Sequence, residues 1–226
     1  MTDALDRLAV VGNDLFRRVD VLLAGGGVAP GSRAAELLRR VGGLPADVLE
    51  YALRLDVAGL VAAAEELRGV GDRFRGLPGT VAVGVRGSAW EGSGAEAFGV
   101  AWAALAQHIG EGGDERSIVG RVDATADYLG AVAGWAQGFR HELAEAVARV
   151  VQSAEAVVVV TVKDGVEAVA AAGRIAERVL RTAGEALDAA DELRRRYEGR
   201  LGELEYQPPE VPRGTAVIAG VTRVTM

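Results

Sequence analysis

Apolar positions recur along most of the chain at three- and four-residue steps, the spacing that lines one face of a helix. From residue 3 to 24 the stripe is Leu5, Leu8, Leu15, Val19 and Leu22, with Thr2 placed to cap it and Gly25-Gly26-Gly27 to end it. Pro30-Gly31-Ser32 restarts the chain. Ser32 is expected to cap a short helix through Val41 that stops at Gly42-Gly43, and Pro45 suits the first turn of another running through Leu55.

A second stripe follows in Val57, Leu60, Val61, Ala64, Leu67, Val70, Phe74 and Leu77, and a third in Phe98, Trp102, Leu105 and Ile109. Between them lies the glycine-broken stretch Ser88 to Phe98, with Trp90 at its apex. Two helices joined by so short a connection are expected to pack antiparallel, stripe against stripe. Pro78 ought to disturb the first arm, since an interior proline removes a hydrogen bond and crowds the preceding turn. The β-branched residues after it are read as a kinked or restarted helix reaching Ala89.

No proline occurs between Pro78 and Pro208, which permits long helices. After Gly110-Glu111-Gly112-Gly113, a seam of Ile118, Val122, Thr125, Leu129, Val132, Ala136, Phe139, Leu143, Val147, Val150, Ala154, Val157 and Thr161 keeps a period near 3.5. Unbroken from Ser117 to Thr161, that helix would be about 65 Å long. The valine run of 156–162 ahead of Lys163-Asp164-Gly165 also fits a β-hairpin; the seam crosses it in phase and favours helix. A last helix is expected over 166–204, with Val169, Ile175, Val179, Leu180, Leu187, Leu193 and Leu201 inward. The expected fold is therefore all-α: an elongated antiparallel helical bundle built on a helical hairpin. It divides into a helical cap over 1–56, the hairpin over 57–112, a long-helix segment over 113–205 and an extended or disordered tail over 206–226.

Composition narrows the chemistry. Half of the 226 residues are hydrophobic but only 5% are aromatic, so the helices should be slim and closely packed. A net charge of −7 without a basic run argues against nucleic acid. The absence of cysteine excludes disulfides and thiolate metal sites. No window of 18 apolar residues would span a bilayer. The start, Met1 to Arg7, mixes both charges and lacks the pattern of a Sec leader. His108 and His141 each sit on an expected helix with no motif beside them. No nucleophile elbow, phosphate loop, zinc motif or dinucleotide fingerprint occurs. No catalytic residue, metal ligand or cofactor is assigned, and the chain is not expected to be an enzyme.

Trp90-Glu91-Gly92 between two amphipathic arms, followed by Ala97-Phe98, resembles the Trp-X-Gly superfamily exported by type VII (ESX) secretion systems. The direct likeness covers about residues 57–110. Extra helices on both sides resemble the longer actinobacterial members. The resemblance implies a non-enzymatic secretion substrate or export module, recognised through the hairpin turn by Trp90 and Gly92. Phe98 and Trp102 would pack the hairpin. Implied partners are a type VII secretion ATPase and a small Trp-X-Gly partner or a second copy of the chain. The implied route is synthesis in the cytoplasm and export to the envelope or medium. The family's Tyr-x-x-x-Asp/Glu signal matches Tyr206 and Glu210, a stretch that reads equally as a linker. Two alternatives stand beside this reading: a helical rod that dimerises along the 118–161 seam, and the export half of a toxin whose toxin domain is absent. Trp90 itself is either a recognition anchor or a packed hairpin end.

Overall fold

The computed structural model describes residues 3–110, 114–162 and 165–202. Among these every regular element is helical: α1 (Ala4–Gly26), α2 (Arg33–Val41), α3 (Pro45–Arg54), α4 (Val57–Gly87), α5 (Ser93–Ile109), α6 (Ile118–Val151), α7 (Ala154–Thr161) and α8 (Val166–Glu198). The protein is an all-α helical bundle. Its contacts divide into two units, one formed by residues up to Leu67 with Thr125–Leu201, the other centred on Arg68–Ala124. No described helix is long and apolar enough to cross a membrane.

In the first unit α8 is the central element, touching α1, α2, α3 and α7. Its inward face is mostly small: Ala168, Ala171, Ala172 and Ala176 are fully buried beside Ile175, Val179 and Leu180. Alanines there let helix axes approach closely, and the larger volume comes from α1 and α3 through Leu5, Phe16, Val19 and Leu49. Leu187, expected inward, is exposed. The helix also ends at Glu198, short of residue 204.

The start of the chain is fastened by charge. Asp3 caps α1, and Thr2, the expected cap, lies outside the described residues: the Asp3 carboxylate accepts from the Asp6 amide at 2.9 Å, and Asp6 accepts from the Asp3 amide at 3.0 Å. Arg140, buried on α6, then donates to Asp3 at 2.7 Å, to Asp6 at 2.8 Å and to the Ala52 carbonyl at 2.6 Å. One guanidinium thus ties the first turn of α1, the last turn of α3 and the middle of α6. Hydrogen bonding to Arg140 holds the Asp3 carboxyl below its ordinary range.

Helix α3 shows a borrowed cap. Leu44 precedes it and has no side-chain acceptor, so the Ala46 amide donates instead to Asp20 of α1 at 3.3 Å. Asp47 takes the Leu44 amide at 2.9 Å. The other Asp20 oxygen is buried without a partner. Burial pushes the Asp20 pKa up to about 6, opposed by the Ala46 amide and assisted by Asp47. Because the folded chain takes this proton more readily than the unfolded one, stability should rise as pH falls from 6 towards 4. Asp20→Asn keeps an acceptor without the charge. It is expected to gain about 1 kcal/mol at pH 7, the half-burial reducing the full shift, and to flatten the stability profile between pH 4 and 6. Urea titrations across that range check it, and an unchanged slope would refute it.

The long seam does not run through. Helix α6 stops at Val151, and Ser153 adopts extended backbone. Its hydroxyl donates to the Val150 carbonyl at 2.7 Å and accepts from the Ala156 amide at 3.2 Å, closing one helix and opening the next. The break also changes register. Ala154, Val157 and Thr161, expected inward, are exposed, whereas Ala156 and Val159 are buried. The valine run is helical: α7 packs on α8, and Glu155 pairs with Arg174 at 3.1 Å and Arg178 at 3.4 Å. The seam from Ala136 to Val150 is buried in this core, so a rod dimerising along it would have no free face there.

In the second unit α4 continues through Pro78 to Gly87. The helix gives up one backbone hydrogen bond at the proline and is not interrupted. The Thr80 hydroxyl donates to the Gly76 carbonyl at 3.1 Å within the same turn. Arg75 of α4 reaches Asp123 of α6 at 2.9 Å. The entry to α6 is a tight turn: Ser117, fully buried, donates to the Asp114 carbonyl at 2.7 Å and accepts from the Gly120 amide at 3.0 Å.

Candidate functional site

Helix α4 ends because the Ser88 hydroxyl and amide turn back on the Val85 carbonyl, at 2.8 and 3.2 Å. The chain then reverses through Ala89, whose φ of 48° is left-handed, and Gly92, with φ 98° and ψ −176°. A side chain at position 92 would be strained, because that conformation is essentially reserved to glycine. The Gly92 carbonyl accepts from the Ala95 and Glu96 amides at 2.9 and 3.1 Å, starting α5. Trp90 thus stands in a five-residue connection, Ser88–Gly92, where the spacing predicts it.

The indole folds onto the first turns of α5. The ring lies over Gly94, where a Cβ would meet its Cζ2 at 3.5 Å, an ordinary contact distance. Phe98 is one turn further, its ring centre 5.6 Å from that of Trp90, and Trp102 stacks parallel on Phe98 at 6.3 Å. Positions 94, 98 and 102 repeat every fourth residue, so one face of α5 carries the whole aromatic ladder. Such tilted and offset pairs add roughly 0.5–1.5 kcal/mol each beyond the area they bury.

Trp90 remains 50% exposed, and among the described residues its indole N–H has no acceptor. Trp135 is the contrast: it stacks on Phe139 and donates to the Ala186 carbonyl at 2.8 Å. The surroundings of Trp90 are open as well. Leu77, Val83 and Val100 are all exposed on the two helices that the connection joins. Ile109 at the far end of α5 is buried.

Phe98 and Trp102, assigned to hairpin packing, lie on the ladder and are half-buried. Tyr206 and Glu210 lie outside the described residues. His141 is exposed and 3.4 Å from Glu145 on the same helix. Among the described residues no group of three His, Asp or Glu side chains could hold a metal ion. Two features went unassigned from sequence, the Arg140 clasp and an apolar groove at the end of α1. A lone arginine within an otherwise apolar helix face was the only trace of the first.

No protein-family model, curated protein or solved structure matches the chain.

Proposed function

We propose that the chain is a non-enzymatic helical module recognised through the α4–α5 connection, and that the recognising partner belongs to a type VII secretion machinery. The half-exposed Trp90 with an unused indole N–H carries this reading. A packed hairpin end would bury the ring and occupy its donor; the partly buried Trp135 at least occupies its own on the Ala186 carbonyl. A rigid aromatic beside a glycine-fixed turn offers a partner pocket a large contact area at little entropic cost. Gly92 is then required for the presentation of the ring, and Phe98 and Trp102 for its support. The resemblance of Trp90-Glu91-Gly92 supports export as the purpose, with Tyr206 and Glu210 as a second recognition element.

Trp90→Ala is expected to abolish export from a host carrying the machinery while lowering stability by only about 1 kcal/mol, the worth of the lost ring contact. Secretion is scored in the medium beside circular dichroism and thermal unfolding of the purified variant. Export at the level of the unaltered chain, or loss of helicity in the variant, would defeat the proposal.

A further inference from the structure

Away from that connection, the end of α1, the α1–α2 loop, α7 and the start of α8 enclose an open groove of about 1360 Å³. Its floor is Leu22, Leu23, Val159 and Val169, and its walls include the exposed Val21, Val160 and Val166. The volume exceeds the ~300–1,000 Å³ of sites built for small molecules. Valines standing 72, 53 and 89% exposed around one concavity are an unusual expense of apolar surface for a chain that buries so many others.

The rim carries the opposite sign from the rest of the protein. Among the described residues, Arg17, Arg18, Arg33 and Arg174 stand around the groove against a single acid, Glu177, in a chain whose net charge is −7. Arg33 pairs with Glu36 and Arg174 with Glu155. Arg17 and Arg18 make no ion pair or hydrogen bond among the described residues. Two unpaired arginines beside an apolar trough define their complement: an apolar stripe flanked by carboxylates. The occupant's backbone is constrained too. The walls are mainly helices whose amides and carbonyls are already paired, so an extended peptide would find no strand edge to satisfy its own. A helix brings its hydrogen bonds with it.

We infer that this groove docks an acidic amphipathic helix of a partner protein, its apolar face on Val21, Val160 and Val166 and its carboxylates on Arg17 and Arg18. A concave trough suits a helix better than a flat bilayer, and the basic rim repels the basic helices that membranes attract.

The test uses the full chain and two fluorescent helical peptides of about four turns with the same leucine stripe, one flanked by glutamates and the other by lysines. Anisotropy should show saturable binding of the acidic peptide, weakening as salt is raised, and binding of the basic peptide about tenfold or more weaker. Arg17→Glu with Arg18→Glu should reverse that preference, and Val21→Asp should weaken both peptides. Arg196→Glu, outside the groove, should change neither. All four positions are exposed, and circular dichroism confirms that the variants fold. Equal binding of both peptides, or indifference to the charge reversal, would overturn the inference. So would binding of anionic phosphatidylglycerol vesicles in place of the peptide. A self-association seen in sedimentation and abolished by Val21→Asp would likewise overturn it, assigning the groove to a second copy.

Discussion

Exchanging Arg140 for methionine is expected to lower the free energy of unfolding by about 3 kcal/mol, the loss typical when one member of a buried ionic cluster is removed. Methionine keeps most of the aliphatic volume, so the loss isolates the charge and its hydrogen bonds. Three acceptors depend on that guanidinium: Asp3, Asp6 and the Ala52 carbonyl. Lysine at the same position has a single ammonium that cannot fork across three partners and should recover only part of the deficit. The pH dependence follows from the depressed Asp3 carboxyl. Its contribution is present above the ordinary value of 3.8 and is lost as pH falls below it. The gap between the native chain and the methionine variant should therefore narrow below about pH 4. Equilibrium denaturation at pH 7 and pH 3 measures both points. A variant within 0.5 kcal/mol of the native chain at pH 7, within the usual scatter of surface substitutions at about that size, would show that the clasp is ornamental.

Gly120→Ala should be nearly as damaging, by about 2–4 kcal/mol, through contact rather than charge. A Cβ there would sit 2.0 Å from the Asp114 carbonyl oxygen and 2.6 Å from its carbon. Those are backbone atoms, so no rotamer change relieves the clash. The same carbonyl accepts from the Ser117 amide at 2.9 Å and hydroxyl at 2.7 Å. Displacing it would break the cap at the start of α6 together with the turn before it. Ser117→Ala removes only the hydroxyl and should cost about 1 kcal/mol. Thermal unfolding with amide exchange across 114–121 separates the two. Equal destabilisation by both variants would mean that the cap, and not the close approach, dominates.

How much of this was legible beforehand follows from what each feature depends on. The helices were read from periodicity, because burying one face imposes the same spacing whatever the partner. The glycine turns, the cap by Ser32 and the first-turn position of Pro45 were equally readable, since each acts within a few residues. Ser153 was not read, although its hydroxyl breaks the seam just as locally. The apolar pattern stays in phase across it, and only the exposure of Val157 and burial of Val159 reveal the shift. Pro78 misleads for the converse reason: a single missing hydrogen bond does not end a helix held by the turns on either side. Around the candidate site, the turn at Trp90 and Gly92 was legible from the glycine break, and Phe98 and Trp102 share one face of α5 as their four-residue spacing requires. The state of the indole N–H was not readable, because whether a tryptophan finds an acceptor is settled by tertiary structure. The Arg140 clasp and the groove join residues 88 or more positions apart and left almost no mark on local pattern.

The Arg140 clasp has a consequence in time. Its acids are synthesised well before its arginine, which follows 137 positions after Asp3. The core they close also needs α8, which comes later still. With residues 68–124 made in between, the opening helices leave the ribosome before the surfaces that will cover them exist. Leu5, Phe16 and Val19 must wait, exposed or in temporary company, until α8 returns. For an all-helical protein that is a high contact order, and it favours folding after synthesis over folding during it.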